Sequence, residues 1–248
     1  MNINETLKHY FGYDSLRPGQ QELIEGILQR KDVLGIMPTG AGKSLCYQVP
    51  ALMLDGITIV VSPLISLMTD QVKALNQAGV HAAYINSSLT DNQIRTALFY
   101  AAQGRYRIIY VAPERLNTIR FLEFACQVDI SMVTVDEAHC ISQWGQDFRP
   151  SYVGIADFLA QLPKRPVVSA FTATATERVK QDIMKSLRLQ NPVTVVTGFD
   201  RPNLFFRAVT RKGGKEKDNS ILNYVKKHED ESGIIYCATK KNVDKIYE

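Results

Sequence analysis

The sequence has few cysteines and no long apolar run, and both absences narrow the class of protein. Its 248 residues include 4 cysteines, with no CxxC pair and no histidine cluster at metal-ligand spacing. We therefore expect reduced thiols, with neither a disulfide framework nor a structural zinc site. No apolar stretch approaches the roughly 20 residues that span a bilayer. The first residues, MNINETLKHY, also lack the layout of a signal peptide, so we expect a cytoplasmic protein with no membrane partner.

A large excess of charge of one sign is missing as well. The net charge is +4, and residues 200–248 hold 11 Lys and Arg against 8 Asp and Glu. A basic run such as RKGGKEK (211–217) is more often a solvated loop than a binding surface. Charge alone therefore does not identify a nucleic-acid partner. Hydrophobic residues make up 45% of the chain, which is typical of a globular protein with a core.

Short apolar runs alternate with amphipathic stretches, which predicts an α/β fold with a parallel sheet flanked by helices. The predicted buried strands are 32–37, 57–62, 107–112, 131–136, 166–171 and 193–196. The predicted crossover helices are 64–79, 90–104 and 176–189. Ligands bind at the carboxyl ends of the strands in such sheets, so the loops that follow these strands are the candidate functional regions.

The regular pattern ends near residue 198, which predicts a first domain over 1–198. Residues 199–248 are then a linker and the truncated beginning of a second domain. In this part a polar connection precedes a helical stretch, ILNYVKKH (221–228), and a buried strand, GIIYC (233–237), and the chain stops inside another helix. One strand and two helices cannot bury a core of their own. We therefore expect the sequence to be part of a longer protein.

The segment MPTGAGKS (37–44) has the composition of a phosphate-binding loop. It follows a predicted strand and opens into a helical stretch, SLCYQVPALML. Glycines let backbone amides turn toward phosphate oxygens; Lys43 would reach the β- and γ-phosphates, and the Ser44 hydroxyl would ligate magnesium. A flexible loop with an exposed lysine is the alternative. The candidate nucleotide-binding residues are Met37, Pro38, Thr39, Gly40, Ala41, Gly42, Lys43 and Ser44.

A second motif, VDEAH (135–139), places two carboxylates at the end of a predicted buried strand. Asp136 is positioned to hold a hydrated magnesium ion, and Glu137 to polarise a water as general base. Carboxylates leaving an apolar strand cost desolvation free energy unless they have a partner, which a metal and a nucleotide provide. Taken alone, the motif also fits an ordinary acidic loop. With the phosphate loop it predicts a nucleoside triphosphatase.

A third stretch, CISQWGQDFRP (140–150), holds the only tryptophan of the chain in a run that is neither helical nor strand-like. Trp144 and Phe148 can stack on bases irrespective of sequence while Arg149 contacts a phosphate. The alternative is that the two rings pack against the sheet.

Taken together, FGYDSLRPGQ, MPTGAGKS, VVSPLISLMTDQV, YVAPERL, VDEAHC, QWGQDFRP and AFTATAT closely resemble the RecQ family of DNA helicases, in helicase superfamily 2. The matches follow the family's order from about residue 7 to the end. The resemblance implies two RecA-like domains that bind ATP with Mg²⁺ between them, of which 199–248 contain the start of the second. It also implies translocation on single-stranded DNA and unwinding of forked duplex. The sequence does not determine the oligomeric state, for which we favour a monomer. Phosphate loops of this superfamily commonly lack the first glycine, which accounts for Met37.

The resemblance also assigns roles to individual residues near the nucleotide. The segment similar to GYDSLRPGQ recognises adenine in the family, which implies that Tyr13 and Arg17 stack on the base and that Gln20 hydrogen-bonds its edge. A surface turn is the alternative for this stretch. His139 is implied to link the γ-phosphate site to the loop that contains FTATAT.

The remaining assignments concern DNA. The loops SPLISLM and APERL contact the nucleic-acid backbone in the family, which points to Ser62 and Ser66; alternatively these serines cap a helix, and Glu114 and Arg115 form an ion pair. The FTATAT motif couples hydrolysis to DNA movement, with Thr172 and Thr174 as candidate hydroxyls. Thr174 with Glu177 also fits a capping box. Trp144, Phe148 and Arg149 are implied to sense DNA and to act on the strand end that carries Asp136 and Glu137.

The chain departs from the family pattern in two ways. Gln146 stands where members commonly have histidine; its amide can hydrogen-bond but cannot carry the positive charge of an imidazolium. The family's arginine finger, zinc-binding region and C-terminal nucleic-acid-binding domains lie beyond Glu248, so we expect this chain to bind ATP but to hydrolyse it poorly. The alternatives are a double-stranded nucleic-acid translocase, a P-loop kinase or nucleotide switch without unwinding, and a non-catalytic nucleic-acid-binding module.

Overall fold

The computed structural model describes residues 1–145, 147–198, 204–210 and 213–247. The chain divides into two compact units, Met1–Phe199 and Asp200–Glu248. Gln146 and residues 199–203 of GFDRPNL lie outside the described residues, so the expectations about them stay predictions.

The first unit is built on a parallel sheet, as the sequence predicts, with seven strands rather than the six predicted. Its strand order is β3-β4-β2-β5-β6-β1-β7, and every neighbouring pair is parallel. The strands are β1 Val33–Ile36, β2 Ile57–Val61, β3 Ala82–Ile85, β4 Ile108–Val111, β5 Ile130–Val135, β6 Val167–Thr172 and β7 Val193–Val196. The six predicted strands are confirmed. Strand β3 was not predicted, because its short, alanine-rich run gives a weak strand pattern.

Nine helices of the first unit surround this sheet in the described part of the chain. They are α1 Ile3–Phe11, α2 Gln20–Leu28, α3 Lys43–Met53, α4 Ile65–Gln77, α5 Asp91–Ala102, α6 Ile119–Gln127, α7 Pro150–Val153, α8 Ile155–Gln161 and α9 Glu177–Ser186. Short 3₁₀ turns lie at Pro113–Arg115 and Ala138–Ile141. The predicted crossover helices are confirmed as α4, α5 and α9, and the helix after the phosphate loop as α3.

The helices bury the sheet on both of its faces. Every residue of β1, β2, β4, β5 and β6 is buried, as expected where crossover helices cover a parallel sheet. One hydrophobic cluster includes Ile59, Val133 and Phe158, and another includes Val60, Met132 and Phe171. Because side chains alternate along a strand, consecutive residues of β2 and β5 fall into different clusters.

Asp32 fastens the edge of the sheet at which β1 begins. Its carboxylate is 3% exposed and accepts hydrogen bonds from Arg165 Nη1 at 3.1 Å and Arg165 Nη2 at 2.6 Å. It also accepts from the backbone N–H of Val168 at 2.9 Å and of Gln190 at 2.7 Å. One side chain thus joins β1, β6 and the segment after α9 at the amino ends of the strands.

The second unit contains two helices in its described residues, α10 Gly214–Lys227 and α11 Lys240–Tyr247. Helix α10 starts before the predicted stretch 221–228, so part of the expected polar connection is helical. The ion pair Lys245–Asp218, at 2.6 Å, joins the two helices.

The strand predicted at 233–237 is wrong. This run is not a strand, and Ile234 is 80% and Tyr236 is 91% exposed. A buried strand needs neighbours that pair its backbone and cover its side chains, and the described residues of the second unit contain no strand. Among the helices that the structure describes, none is long and apolar enough to cross a membrane.

The hydrogen bonds that Asp32 accepts lead to a prediction about stability. We expect Asp32→Ala to lower the free energy of unfolding by about 3–5 kcal/mol, because it leaves Arg165 and two backbone N–H groups without their acceptor. Urea denaturation measures this change. The matched control is Asp129→Ala, which removes an exposed pair with Lys164 at 3.9 Å and is expected to cost less than about 1 kcal/mol. Equal unfolding midpoints for the two variants would contradict the assigned role of Asp32.

Candidate active site

The loops that carry the predicted motifs meet at the carboxyl edge of the sheet. Strands β5, β6 and β1 are consecutive neighbours. Asp136 directly follows β5, Thr172 is the last residue of β6, and the phosphate loop connects β1 to α3. Parallel neighbours end at the same edge, so the fold alone brings three motifs that are distant in the chain into one region.

A pocket of about 340 Å³ lies at this edge. Most of the predicted nucleotide-site residues line it. They are Tyr13, Arg17, Gln20, Thr39, Gly40, Gly42, Lys43, Ser44, Asp136 and Glu137. Three residues of the phosphate loop do not line the pocket: Met37, which is fully buried in the core against Cys46, Pro38 and Ala41. His139 does not line it either and borders a neighbouring cleft.

The phosphate loop has a backbone that only glycine adopts readily. Gly40 and Gly42 have φ angles of +84° and +82°, and a Cβ atom on Gly42 would lie 2.5 Å from Gln20 Nε2. Gly42 is the N-cap of α3 and has no capping side chain, which leaves a helix N-terminus available to an anion. Lys43 Nζ donates to the carbonyl of Met37 at 3.1 Å, so the lysine spans the loop.

The segment before α2 holds the phosphate loop from outside. Gln20 is 1% exposed; its Nε2 donates to the carbonyls of Ala41 at 3.2 Å and Gly42 at 3.0 Å, and its Oε1 accepts from the N–H of Arg17 at 2.8 Å. The Arg17 guanidinium donates to the carbonyl of Gly40. The stretch is therefore not a free surface turn. Its predicted contacts with adenine stay predictions.

The two carboxylates of the acidic motif lie in different environments. Asp136 is 8% exposed, and burial, together with the neighbouring charge of Glu137, raises its pKa from 3.8 to about 6. A hydrogen bond with His139 lowers the pKa of Glu137. Glu137 also has a φ of +46°, a left-handed backbone that is uncommon for a residue with a side chain. One carboxylate is thus buried with little compensation, and the other is partnered.

His139 joins Glu137 to the last residue of β6. Its Nδ1 lies 2.8 Å from Thr172 Oγ1 and 3.3 Å from Glu137 Oε2. Contacts with the Cys140 thiol and the Glu137 carboxylate raise the pKa of His139 to about 10. The Thr172 hydroxyl donates to the carbonyl of Thr174 at 3.1 Å. Contacts therefore run from Glu137 through His139 to Thr172 and Thr174, and the implied link to the γ-phosphate stays a prediction.

The capping role suggested for Thr174 is wrong. The N-cap of α9 is Thr176, which has the extended backbone that a cap requires and accepts from the N–H of Val179 at 3.3 Å. Thr174 is exposed, so its hydroxyl stays available for other contacts.

The aromatic stretch forms a loop in its described residues, 142–145 and 147–149. Trp144 is 59% exposed and Phe148 is half-buried, so the alternative that Trp144 packs against the sheet is wrong. A Cβ atom on Gly145 would lie 2.5 Å from the carbonyl of His139, which explains why the loop has glycine at this close approach. The loop therefore lies directly against the backbone of the acidic motif.

Arg149 connects this loop to the one after β2. Its Nε and Nη2 donate to Asp147 Oδ2 at 3.0 and 2.8 Å, and its Nη1 donates to the carbonyl of Pro63 at 3.0 Å. The guanidinium is therefore engaged within the protein. Its predicted contact with a DNA phosphate stays a prediction.

The two serines after β2 lie in contrasting positions. Ser62 is fully buried, and its hydroxyl has no partner among the described residues, whereas Ser66 is exposed. The capping alternative is wrong, because the N-cap of α4 is Leu64 and makes no side-chain cap. The alternative ion pair is also wrong: the described structure contains none between Glu114 and Arg115.

Sequence reasoning missed a buried polar network beneath the pocket. Gln48 Nε2 donates to Tyr110 Oη at 3.0 Å and to Gln71 Oε1 at 2.8 Å, and Tyr47 Oη lies 3.4 Å from Tyr110 Oη. The Tyr152 hydroxyl supports the acidic motif by donating to the carbonyl of Asp136 at 2.9 Å. A glutamine within the apolar run of α3 was a usable signal, since buried amides require partners.

Comparison with known proteins agrees with this geometry. The family model for DEAD/DEAH box helicases matches residues 17–183. The "ATP-dependent DNA helicase RecQ" of Bacillus subtilis is 51% identical over 98% of this chain and 41% of that protein. The protein of the same name from Pasteurella multocida is 43% identical over 98% of this chain and 38% of that protein. The chain thus spans about two fifths of the length of these relatives.

Solved structures share the fold at low sequence identity. The DUF1998 helicase MrfA bound to DNA and AMPPNP matches with a TM-score of 0.72 and 15% identity, over 99% of this chain and 37% of that one. A hypothetical ATP-dependent RNA helicase from Sulfolobus tokodaii matches with a TM-score of 0.59 and 21% identity, over 79% of this chain and 57% of that one. These structures share the fold of this chain, while the sequence matches above confirm the resemblance to RecQ helicases. Because the family model covers residues 17–183, the chain belongs to the DEAD/DEAH box helicase family.

Proposed function

We propose that this chain is the ATP-binding part of a RecQ-type DNA helicase motor. The observation that carries the proposal is the pocket in which Lys43 and Ser44 face Asp136 and Glu137, joined through His139 to the last residue of β6. In this proposal, Lys43 serves the phosphates, Ser44 and Asp136 serve a cation, and His139 leads toward the loops that are proposed to contact DNA. A protein that acts on DNA in this way agrees with the cytoplasmic compartment expected from the sequence.

The pocket fits a nucleoside triphosphate. Lys43 and the N-terminus of α3 provide positive charge and N–H donors for the phosphates. Tyr13, 51% exposed at the pocket, offers a ring for the adenine, and Arg17 and Gln20 hold the loop that receives the phosphates.

The donor set also fits Mg²⁺. Asp136 is buried, and burial with the neighbouring charge of Glu137 raises its pKa despite the opposing charges of Lys43 and His139. A carboxylate and a hydroxyl are oxygen ligands that magnesium accepts, so Asp136 and Ser44 would hold the ion. The bound ion would supply charge stabilisation for phosphoryl transfer.

Glu137 is the proposed general base. Its lowered pKa keeps the carboxylate ionised, which a group that orients and polarises a water requires. His139 contacts both Glu137 and Thr172, so a movement of the segment that carries Thr172 changes the position of the Glu137 carboxylate. This contact is the proposed route by which hydrolysis and movement along single-stranded DNA are coupled.

We further propose that residues 199–248 begin a second RecA-like domain. The sequence resemblance supports this assignment, as does the division of the chain into two units. In the arrangement implied by the resemblance, the second domain supplies an arginine finger, which contributes about 10³–10⁵ in rate. This chain alone is accordingly proposed to hydrolyse ATP slowly, and duplex unwinding to require the complete motor.

Lys43→Ala tests the nucleotide site. We expect the variant to bind ATP in the presence of Mg²⁺ at least about 10-fold more weakly in calorimetry, because a charge-assisted contact to the phosphates is lost. The matched control is Lys73→Ala, which removes an exposed lysine from α4 and should bind as the unaltered chain does. Equal binding by all three proteins would contradict the assigned phosphate loop.

Asp136→Asn tests the cation site through stability. Because burial raises the pKa of Asp136 to about 6, the folded state binds this proton more tightly than the unfolded state, and stability is lost as pH rises from about 4 to 6. We therefore expect the variant to be more stable than the unaltered chain by about 1–3 kcal/mol at pH 7, with no gain at pH 3.5.

Thermal unfolding across this pH range measures the difference, with Asp70→Asn, an exposed carboxylate on α4, as control. The same variant is expected to lose the stabilisation that ATP with Mg²⁺ gives the unaltered chain. A variant that is less stable at pH 7, or that keeps the full stabilisation by ATP and Mg²⁺, would argue against a cation at Asp136.

Phe148→Ala tests the aromatic loop as a DNA contact. Loss of one stacking ring is expected to weaken binding of a labelled oligo(dT) by about 5- to 150-fold in fluorescence anisotropy, and affinity for the unaltered chain should fall steeply as salt rises. Phe99→Ala, a 59% exposed ring on α5, is the control. If both variants bind oligo(dT) equally well, the aromatic loop does not contact DNA. A separate fork-unwinding assay on the complete motor distinguishes a helicase from a translocase.

A further inference from the structure

Helix α9 supports the aromatic loop through two side chains one turn apart. Asp182 Oδ2 accepts from the Ser142 hydroxyl at 2.7 Å, and the guanidinium carbon of Arg178 lies 3.3 Å from the centroid of the Trp144 ring. Residues four apart share a helix face, so one face of α9 contacts both Ser142 and Trp144. The N–H of Trp144 donates to Ser142 Oγ at 3.2 Å, which fixes the tryptophan relative to the helix.

Within the described residues, neither a hydrogen bond nor an ion pair accounts for the position of the Arg178 side chain. It is exposed, and within the described residues its guanidinium has no hydrogen-bond acceptor and no carboxylate at ion-pair distance. Arg149 differs, since its guanidinium binds Asp147 and the carbonyl of Pro63. The attraction between a planar cation and an indole face therefore places Arg178 over Trp144.

We propose that Arg178 controls how nucleobases engage the aromatic loop: its guanidinium covers one face of the Trp144 indole, and a base stacks on that face by displacing it. The inference rests on the proposed binding of single-stranded DNA by this loop. A base stacked on an aromatic side chain is held more strongly than an exposed cation on the same ring. DNA therefore displaces the arginine, but with reduced apparent affinity.

The position of Trp144 gives this competition a consequence for the active site. The ring also borders a cleft of about 250 Å³ that His139, Thr174 and Thr176 line. When a nucleobase replaces the Arg178 guanidinium on the Trp144 ring, one of the contacts between the aromatic loop and α9 is lost. The change thus occurs beside the histidine that contacts Glu137 and Thr172.

The single tryptophan of the chain makes the experiment direct, because all indole fluorescence comes from Trp144. The variants are Arg178→Ala and, as matched control, Lys185→Ala, which removes the same charge from an exposed position of α9. Without DNA, we expect Arg178→Ala to increase quenching of Trp144 by acrylamide, while Lys185→Ala leaves it unchanged.

A titration of the same proteins with oligo(dT), followed by Trp144 fluorescence, tests the competition itself. The dissociation constant of Arg178→Ala should fall by about 2- to 5-fold, the amount expected when a cation–π competitor is removed. Lys185→Ala should bind as the unaltered chain does or slightly more weakly, since it loses a positive charge. The opposite signs separate a competitor from an ordinary phosphate contact.

Two results would overturn the inference while leaving the proposed function intact. The first is weaker oligo(dT) binding by Arg178→Ala than by Lys185→Ala, which would make the arginine a DNA contact. The second is unchanged quenching and unchanged affinity in Arg178→Ala, which would make the stacking incidental. If the unaltered chain fails to bind oligo(dT) at all, DNA binding by the loop is itself wrong and this inference falls with it.

Discussion

A fully buried parallel strand cannot carry charged side chains along its length, and the rest of this structure follows from that constraint. Both faces of the central strands are covered by helices, so a charge on either face would lack water and a partner. The functional side chains are therefore found at the ends of the strands. Asp136 after β5, Thr172 at the end of β6 and the loop after β1 obey this rule, and the strand order makes them neighbours.

Within this edge, contrasting surroundings divide the work of two adjacent carboxylates. Burial leaves Asp136 short of positive charge, whereas His139 partners Glu137. A group that needs a cation and a group that stays ionised are thus produced by neighbouring residues of one turn. The same histidine contacts Thr172, so the electrostatic arrangement and the mechanical connection between loops share one side chain.

Much of the sheet and the pocket could be predicted from the sequence because their signals are local. Lys43 and Asp136 each follow an apolar run, and a loop at a strand end has few alternative locations. The backbone conformation, rather than the residue type, decides between Thr174 and Thr176 as the N-cap of α9. The run 233–237 is apolar enough for a strand, but no strand lies beside it among the described residues. The contact of Arg178 with Trp144 joins segments that are not adjacent in the chain, so no local sequence pattern predicts it.

The hydrogen bonds from Gln20 have a consequence for the thermodynamics of ligand binding. Its amide holds the carbonyls of Ala41 and Gly42, so the turn that receives phosphates has its shape before any nucleotide arrives. Ordering a loop costs roughly 1–2 kcal/mol per residue in conformational entropy, and here that cost is met during folding. Association with the nucleotide then resembles the docking of a ligand on a rigid surface, with affinity that depends on contacts formed rather than on segments ordered.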